Sequence, residues 1–184
     1  MHKAFKEIGF IRLIKYFIFG LWELIFRILP YSPLRIFWLR LGGANIGKNC
    51  VIERIKFFNL DRTGLKGLII GDDCYLGIDV LLDLADKITL NNQVTISPRS
   101  IILTHFSVGF NNHPLLKYYS KKVQPVIFQS GSALGVASII LPGITISKNS
   151  LVAAGAVVRK SVPANKMVAG VPAEIKKSLH EKKS

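Results

Sequence analysis

The chain has 184 residues, with 25 Lys and Arg against 11 Asp and Glu and a formal net charge of +14. That length holds one domain with appendages, and so basic a surface attracts phosphate groups, anionic lipid or nucleic acid unless it is only a solvated lysine-rich face. No recognised nucleic-acid module accompanies the charge, which sets that partner aside; Cys50 and Cys74 have no metal-ligand spacing and fit a reduced, cytosolic setting.

Residues 1–41 differ from the rest. Phe10–Leu29 reads FIRLIKYFIFGLWELIFRIL, apolar but interrupted by Arg12, Lys15, Glu23 and Arg27. A membrane span wants about 20 apolar residues with few or no charges. On a helical wheel the four charges fall within an arc of about 120°, and the remaining face carries Phe, Ile, Leu and Trp22. That is the pattern of an amphipathic helix lying in a membrane interface. Tyr31, Ser32 and Pro33 end it, and a second basic, aromatic stretch follows (LRIFWLRLGG). No small-residue cleavage site follows, so the segment does not read as a secretory signal. The alternative is that these helices cap the next domain and pack between subunits.

From Ile46 the pattern is neither helix nor alternating strand. Every sixth residue from Phe128 to Val158 is apolar: Phe128, Leu134, Ile140, Ile146, Val152 and Val158. Four residues after each comes a second set, Ser132, Ser138, Ile144, Ser150, Ala156 and Val162. These are small or apolar, as inward side chains between closely stacked coils must be. A strict short repeat of this kind means a solenoid. Three hexads make one triangular coil of about 18 residues, with short parallel strands and tight turns. Gly, Asp, Asn and Ser follow the apolar positions, and the first three tolerate positive φ.

The repeat begins around Ile46 and is disturbed over 53–68. It resumes at Ile70, Leu76 and Leu82, then slips by two residues to Leu84, Leu90, Ile96 and Ile102. It breaks again over 103–127 before the clean run. Cys50 and Cys74 each fall four residues after an apolar repeat position, so each reads as a small buried residue. The expected fold is mainly β: a parallel β-helix over 42–172 with a protruding loop at 103–127. A basic tail or short helix is expected over 173–184.

Over 125–175 the sequence PVIFQSGSALGVASIILPGITISKNSLVAAGAVVRKSVPANKMVAGVPAEI resembles the hexapeptide-repeat acyltransferases. LPGITI, AAGAVVRKSVP and the closing VAGVPA carry that resemblance together, and a looser match extends back to about residue 46. It looks most like the sugar O-acetyltransferases of capsule, O-antigen and exopolysaccharide pathways, which are similar to maltose and galactoside acetyltransferases. The resemblance implies a left-handed β-helix and a homotrimer with active sites between subunits. It implies acetyl transfer from acetyl-CoA to a sugar hydroxyl, with no metal. By motif position, Gly135 and Ala154 would hold the pantetheine arm, Lys160 would lie near the nucleotide end, and Pro172 would line it. Arg159, Lys160, Lys166 and Lys176 also suit the CoA phosphates by charge. The chain departs from the family pattern at Ala133, where most relatives have a Trp near the cofactor arm. Gln129-Ser130-Gly131 and Asn91 are further departures. The room at Ala133 would admit an acyl group larger than acetyl.

Of the four histidines, His2 and His180 lie in charged ends. His105 ends ISPRSIILTH, at the phase break, and resembles the family's catalytic base. A sugar hydroxyl is a very weak acid, so a positioned imidazole must take its proton as the oxygen attacks the thioester. Backbone N–H groups would stabilise the oxyanion. His113, in NNHP, reads as loop structure or an acceptor contact. Asp83, in VLLDLAD, matches a position that faces the acceptor in the family, or is a solvated turn carboxylate. Loop 106–124 carries Phe106, Phe110, Tyr118 and Tyr119, and aromatic rings stack well on sugar faces.

The leading reading is a membrane-associated O-acetyltransferase for a lipid-linked or nucleotide-linked sugar, drawn by its basic helix to the anionic inner leaflet. The others are a soluble acetyltransferase for an amino sugar, an amino acid or a xenobiotic, and a non-catalytic scaffold. A zinc lyase of this architecture is rejected, because it needs three histidines per site.

Overall fold

The computed structural model describes residues 10–109 and 112–179, the side chains of 10–12 excepted. Helices α1 (Phe10–Ile28) and α2 (Ser32–Leu41) precede a prism with three parallel β walls. The first wall stacks β1 (Asn45–Ile46), β4 (Leu68–Ile70), β7 (Ile88–Leu90), β12 (Val126–Phe128) and β15 (Thr145–Ile146). The second stacks β2 (Val51–Ile52), β5 (Tyr75–Leu76), β8 (Thr95–Ile96), β13 (Ala133–Leu134), β16 (Leu151–Val152) and β18 (Lys166–Ala169). The third stacks β3 (Lys56–Phe58), β6 (Leu81–Asp83), β9 (Ile101–Ile102), β14 (Ile139–Ile140) and β17 (Val157–Val158).

The six-residue period places the core. Phe128, Leu134, Ile140, Ile146, Val152 and Val158 are all buried, and so is the second set from Ser132 to Val162. Small second-set residues are required because consecutive coils stand only about 4.8 Å apart. Positive φ recurs at Gly131, Ala137, Gly143, Asn149 and Gly155, once per hexad, where each strand turns into the next. Cys74 is buried and Cys50 half-buried. Burial pushes the Cys74 thiol up to about 11, so it is protonated at neutral pH.

Coil length varies along the prism. In the upper part, partners stand 18 positions apart: Ile127 with Thr145, Ala133 with Leu151, Ile139 with Val157. Lower down the spacing is 24 for Val51 with Tyr75, 20 for Leu81 with Ile101 and 38 for Thr95 with Ala133. The extra chain leaves at one corner, between the third and first walls. It comprises residues 59–67, which include the short helix α3 (Leu60–Thr63), residues 84–87, and residues 103–125.

Two features differ from the sequence expectation. Residues 174–178 form β19 (Glu174–Ser178), antiparallel to β18, where a tail or helix was expected over 173–184. The last wall strand would otherwise leave a row of unpaired backbone groups, and the hairpin pairs them. Residues 180–184, with His180, lie outside the described residues, as do His2 and Phe110.

The second difference is the way α1 sits. It caps the lower coils through Phe19, Trp22 and Phe26, a narrow strip that overlaps one edge of the charged arc. Trp22 stacks on Phe26 and on Trp38, with ring centroids 5.9 Å apart in each case, and Phe57 meets Phe26 edge-on at 5.7 Å. The wholly apolar face, Phe17, Ile18, Leu21, Leu24 and Ile28, points outward and is 59% to 73% exposed. The packing of Trp22 and Phe26 with Trp38 and Phe57 holds this side of the helix against the prism. Among the described residues, no helix is long and apolar enough to cross a membrane.

Candidate active site

The three interruptions of the repeat meet in one side-chain cluster. Asn59 follows β3, Asp83 ends β6, and His105 opens β10 (His105–Phe106), just beyond β9. Phe58 pairs with Asp83 in register, so stacking sets the coils over one another. Asp83 Oδ2 accepts from His105 Nδ1 at 2.5 Å and from the backbone N–H groups of Thr104 and His105 at 2.9 Å. Asp83 Oδ1 accepts from Asn59 Nδ2 at 2.7 Å and from the Ala85 N–H at 3.2 Å.

Asp83 was expected to face the acceptor or the solvent. It does neither: its side chain is wholly buried, while that of His105 is 19% exposed. Burial raises the Asp83 pKa, but the hydrogen bonds from His105, Asn59 and Thr104 outweigh it and hold the carboxyl below its ordinary range. An ionised carboxylate is an acceptor only, so His105 Nδ1 carries the hydrogen that it receives. Neutral His105 therefore has its lone pair on Nε2, the nitrogen turned away from Asp83. Asn59 Nδ2 also lies 3.1 Å from His105 Nδ1. With both nitrogens carrying hydrogen, Asn59 acts through Asp83, holding the carboxylate that holds the ring.

Asn59 was not singled out from the sequence. It occupies a left-handed backbone position, φ 52°, which asparagine tolerates. The signal that marks it is the phase break at 53–68, which falls at the same corner as the break at 103–127.

Loop 103–125 closes on a short ladder between β10 and β11 (Lys122–Val123), with Phe106 packed edge-on against Tyr119 at 6.3 Å. His113 caps the 3-10 turn Pro114–Lys117, its Nδ1 accepting from the Leu115 N–H at 3.1 Å. That is the loop-structure role. Tyr118 projects from the loop and is 79% exposed.

The residues matched to cofactor binding fall in two places. A cleft of about 350 Å³ at the last coil is lined by Arg159, Lys160 and Pro172. Gly135 and Ala154 face each other in successive coils at a different corner. A Cβ on Gly135 would come within 2.4 Å of the Ala154 nitrogen, so glycine is needed there for stacking alone. The two remaining lysines bond elsewhere: Lys166 Nζ donates to Ser178 Oγ at 2.6 Å, and Lys176 pairs with Glu174 at 3.5 Å. Ala133 is half-buried on β13 between Thr95 and Leu151. Among the described residues, no group of three His, Cys, Asp or Glu is placed to hold a metal ion.

No protein-family model matches the chain. It is 31% identical to WcaF of Escherichia coli, named for acetyl transfer in colanic acid biosynthesis, over 84% of this chain and 82% of that one. It is 29% identical to a galactoside O-acetyltransferase of Lactococcus lactis, over 75% of this chain and 64% of the relative. In fold it is similar to the solved galactoside acetyltransferase in complex with coenzyme A. That match has a TM-score of 0.79 and 22% identity, over 94% of this chain and 84% of that one. The walls and corners described above are thus those of the left-handed parallel β-helix. By its identity to WcaF over most of both sequences, the chain belongs to the hexapeptide-repeat sugar acetyltransferases.

Proposed function

We propose that this protein transfers the acetyl group of acetyl-CoA to a sugar hydroxyl of a polysaccharide precursor, with His105 as general base. The observation that carries the reading is the buried Asp83 carboxylate holding His105 Nδ1 at 2.5 Å. The relatives named for sugar acetylation support it. Nε2 takes the hydroxyl proton as the oxygen bonds to the thioester carbonyl carbon. The C–S bond then breaks, and CoA leaves as the thiolate and collects that proton from the imidazolium. Asp83 stabilises the transient positive charge on the ring, and holding both substrates in one cleft makes the step effectively unimolecular.

Arg159 and Lys160, in the cleft with Pro172, would bind CoA phosphates, and Gly135 and Ala154 would flank the pantetheine arm of a neighbouring subunit's cofactor in a homotrimer. The test is CoA thiol release over a panel of sugars and polysaccharide precursors. Acceptor-dependent release is expected; none with any acceptor, together with no CoA binding, would overturn the reading. Longer acyl-CoAs in the same assay test whether Ala133 widens the donor site.

The outward apolar face of α1 and the net charge of +14 support a place at the anionic inner face of the membrane. Deleting residues 1–41 would remove Phe26 and Leu39 from the core, so point substitutions are the better test. Leu21→Glu with Leu24→Glu is expected to abolish co-flotation with phosphatidylglycerol vesicles and to leave the fold intact. Unchanged flotation would assign this face to contacts between subunits.

A further inference from the structure

A cavity of about 530 Å³ opens between α1 and the first coils, within the range of small-ligand sites. Leu13, Tyr16 and Gly20 line it from the helix, and Phe57, Phe58 and Leu60 line it from the solenoid. It runs up to the catalytic cluster. Asn59 is part of its wall, and the Phe58 ring lies 5.5 Å from that of His105. No lysine or arginine is among the described residues that line it, and the carboxylates at its edge are Glu23 and Asp61. With no described cation in its wall, such a cavity offers phosphate nothing to bind and takes apolar matter; Glu23 at its edge is itself paired with Arg27 at 2.7 Å.

Gly20 is the informative residue. It stands inside a 19-residue helix, where glycine is the poorest former after proline. A Cβ there would meet nothing within 4 Å, so packing does not require the glycine. A side chain at that position would project into the cavity. Phe17, Leu21 and Leu24, within one turn of Gly20 on α1, are exposed, so the helix carries apolar surface beside the cavity as well as in it.

We propose that the cavity holds the apolar chain of the acceptor, so that the sugar reaches His105 carried on a lipid-like anchor lodged between α1 and the first coils. This rests on the transfer at His105 set out above and adds the class of acceptor: a glycolipid rather than a free or nucleotide-linked sugar.

The test compares octyl and methyl glycosides of glucose and galactose, below the micellar concentration, on the full-length protein. Affinity is read by calorimetry and turnover by thiol release. Octyl glycosides are expected to bind at least about tenfold more tightly than methyl glycosides, from burial of the added methylenes. Gly20→Phe, which fills the cavity, is expected to erase that difference. Tyr16→Glu, at an exposed position on its rim, is expected to cut it at least about threefold, and it decides the matter if Gly20→Phe does not fold. Equal affinities in the wild type, as when another subunit fills the cavity, would overturn the proposal. An octyl preference that survives both substitutions would also overturn it, since the chain would then be held by the outer face of α1. Absence of thiol release with an intact octyl preference would overturn the reaction and leave the chain-binding cavity standing.

Discussion

Between residues 126 and 158 the coils repeat every 18 residues; below them they carry 24, 20 and 38. In the regular coils the backbone groups pair with the coils on either side, and the inward side chains are apolar or small. Such coils offer a flat wall and a row of turns, suited to lying along an extended cofactor. The interrupted coils let the chain leave the wall, return, and aim a polar side chain into the corner. Asn59, Asp83 and His105 arise in this way, one from each of three successive departures at one corner. The candidate site of this chain lies where the period fails.

Breaking the irregular corner should cost turnover, while breaking a regular coil should cost stability. The largest effect is expected at His105, where His105→Ala lowers kcat by about 10² to 10⁴-fold, the usual worth of a general base. Asp83→Asn comes next, with a loss of the order of 10²-fold, because the neutral amide no longer fixes the tautomer or offsets the imidazolium charge. Its new NH2 must also face donors that Asp83 now satisfies, so thermal unfolding should show a loss of about 1–3 kcal/mol. Asn59→Ala removes only the second support of the carboxylate and is expected to lower kcat about tenfold with KM for acetyl-CoA unchanged. An equal loss in Asn59→Ala and His105→Ala would mean that Asn59 touches the reacting atoms.

In the regular half, Gly135→Ala forces a methyl against the Ala154 backbone, and a loss of about 1–3 kcal/mol is expected in denaturant unfolding. An unchanged midpoint would show that these coils separate easily. The smallest effect is one of pH. Because Asp83 is held below the ordinary carboxylate value of about 3.9, the stability from its charged form is complete above about pH 4. It is lost as pH falls through the lower folded-state value. The Tm gap between wild type and Asp83→Asn should therefore narrow as pH falls below about 4.

The hexad made the core legible from the sequence, since every position from Phe128 to Val158 predicted to point inward is buried. It also bounded the protruding loop and located His105 at a break. The role of Asp83 was not legible, because it depends on a contact across 22 residues that only coil stacking creates. Asn59 lay in a stretch without phase, where a periodic reading has no position to assign. The hairpin of β18 and β19 was missed because EIKKS has no apolar alternation; an open strand edge, not local propensity, draws it into the sheet. The wheel of α1 found both faces but not their assignment, which depends on how aromatic rings cover the end of the prism.

The most direct test of the account measures CoA affinity and thiol release on the same His105→Ala protein, at saturating acetyl-CoA and acceptor. The account predicts a CoA Kd unchanged within error and turnover at least 10²-fold lower. Turnover equal to that of the wild type would contradict it, by removing the interrupted corner from the chemistry.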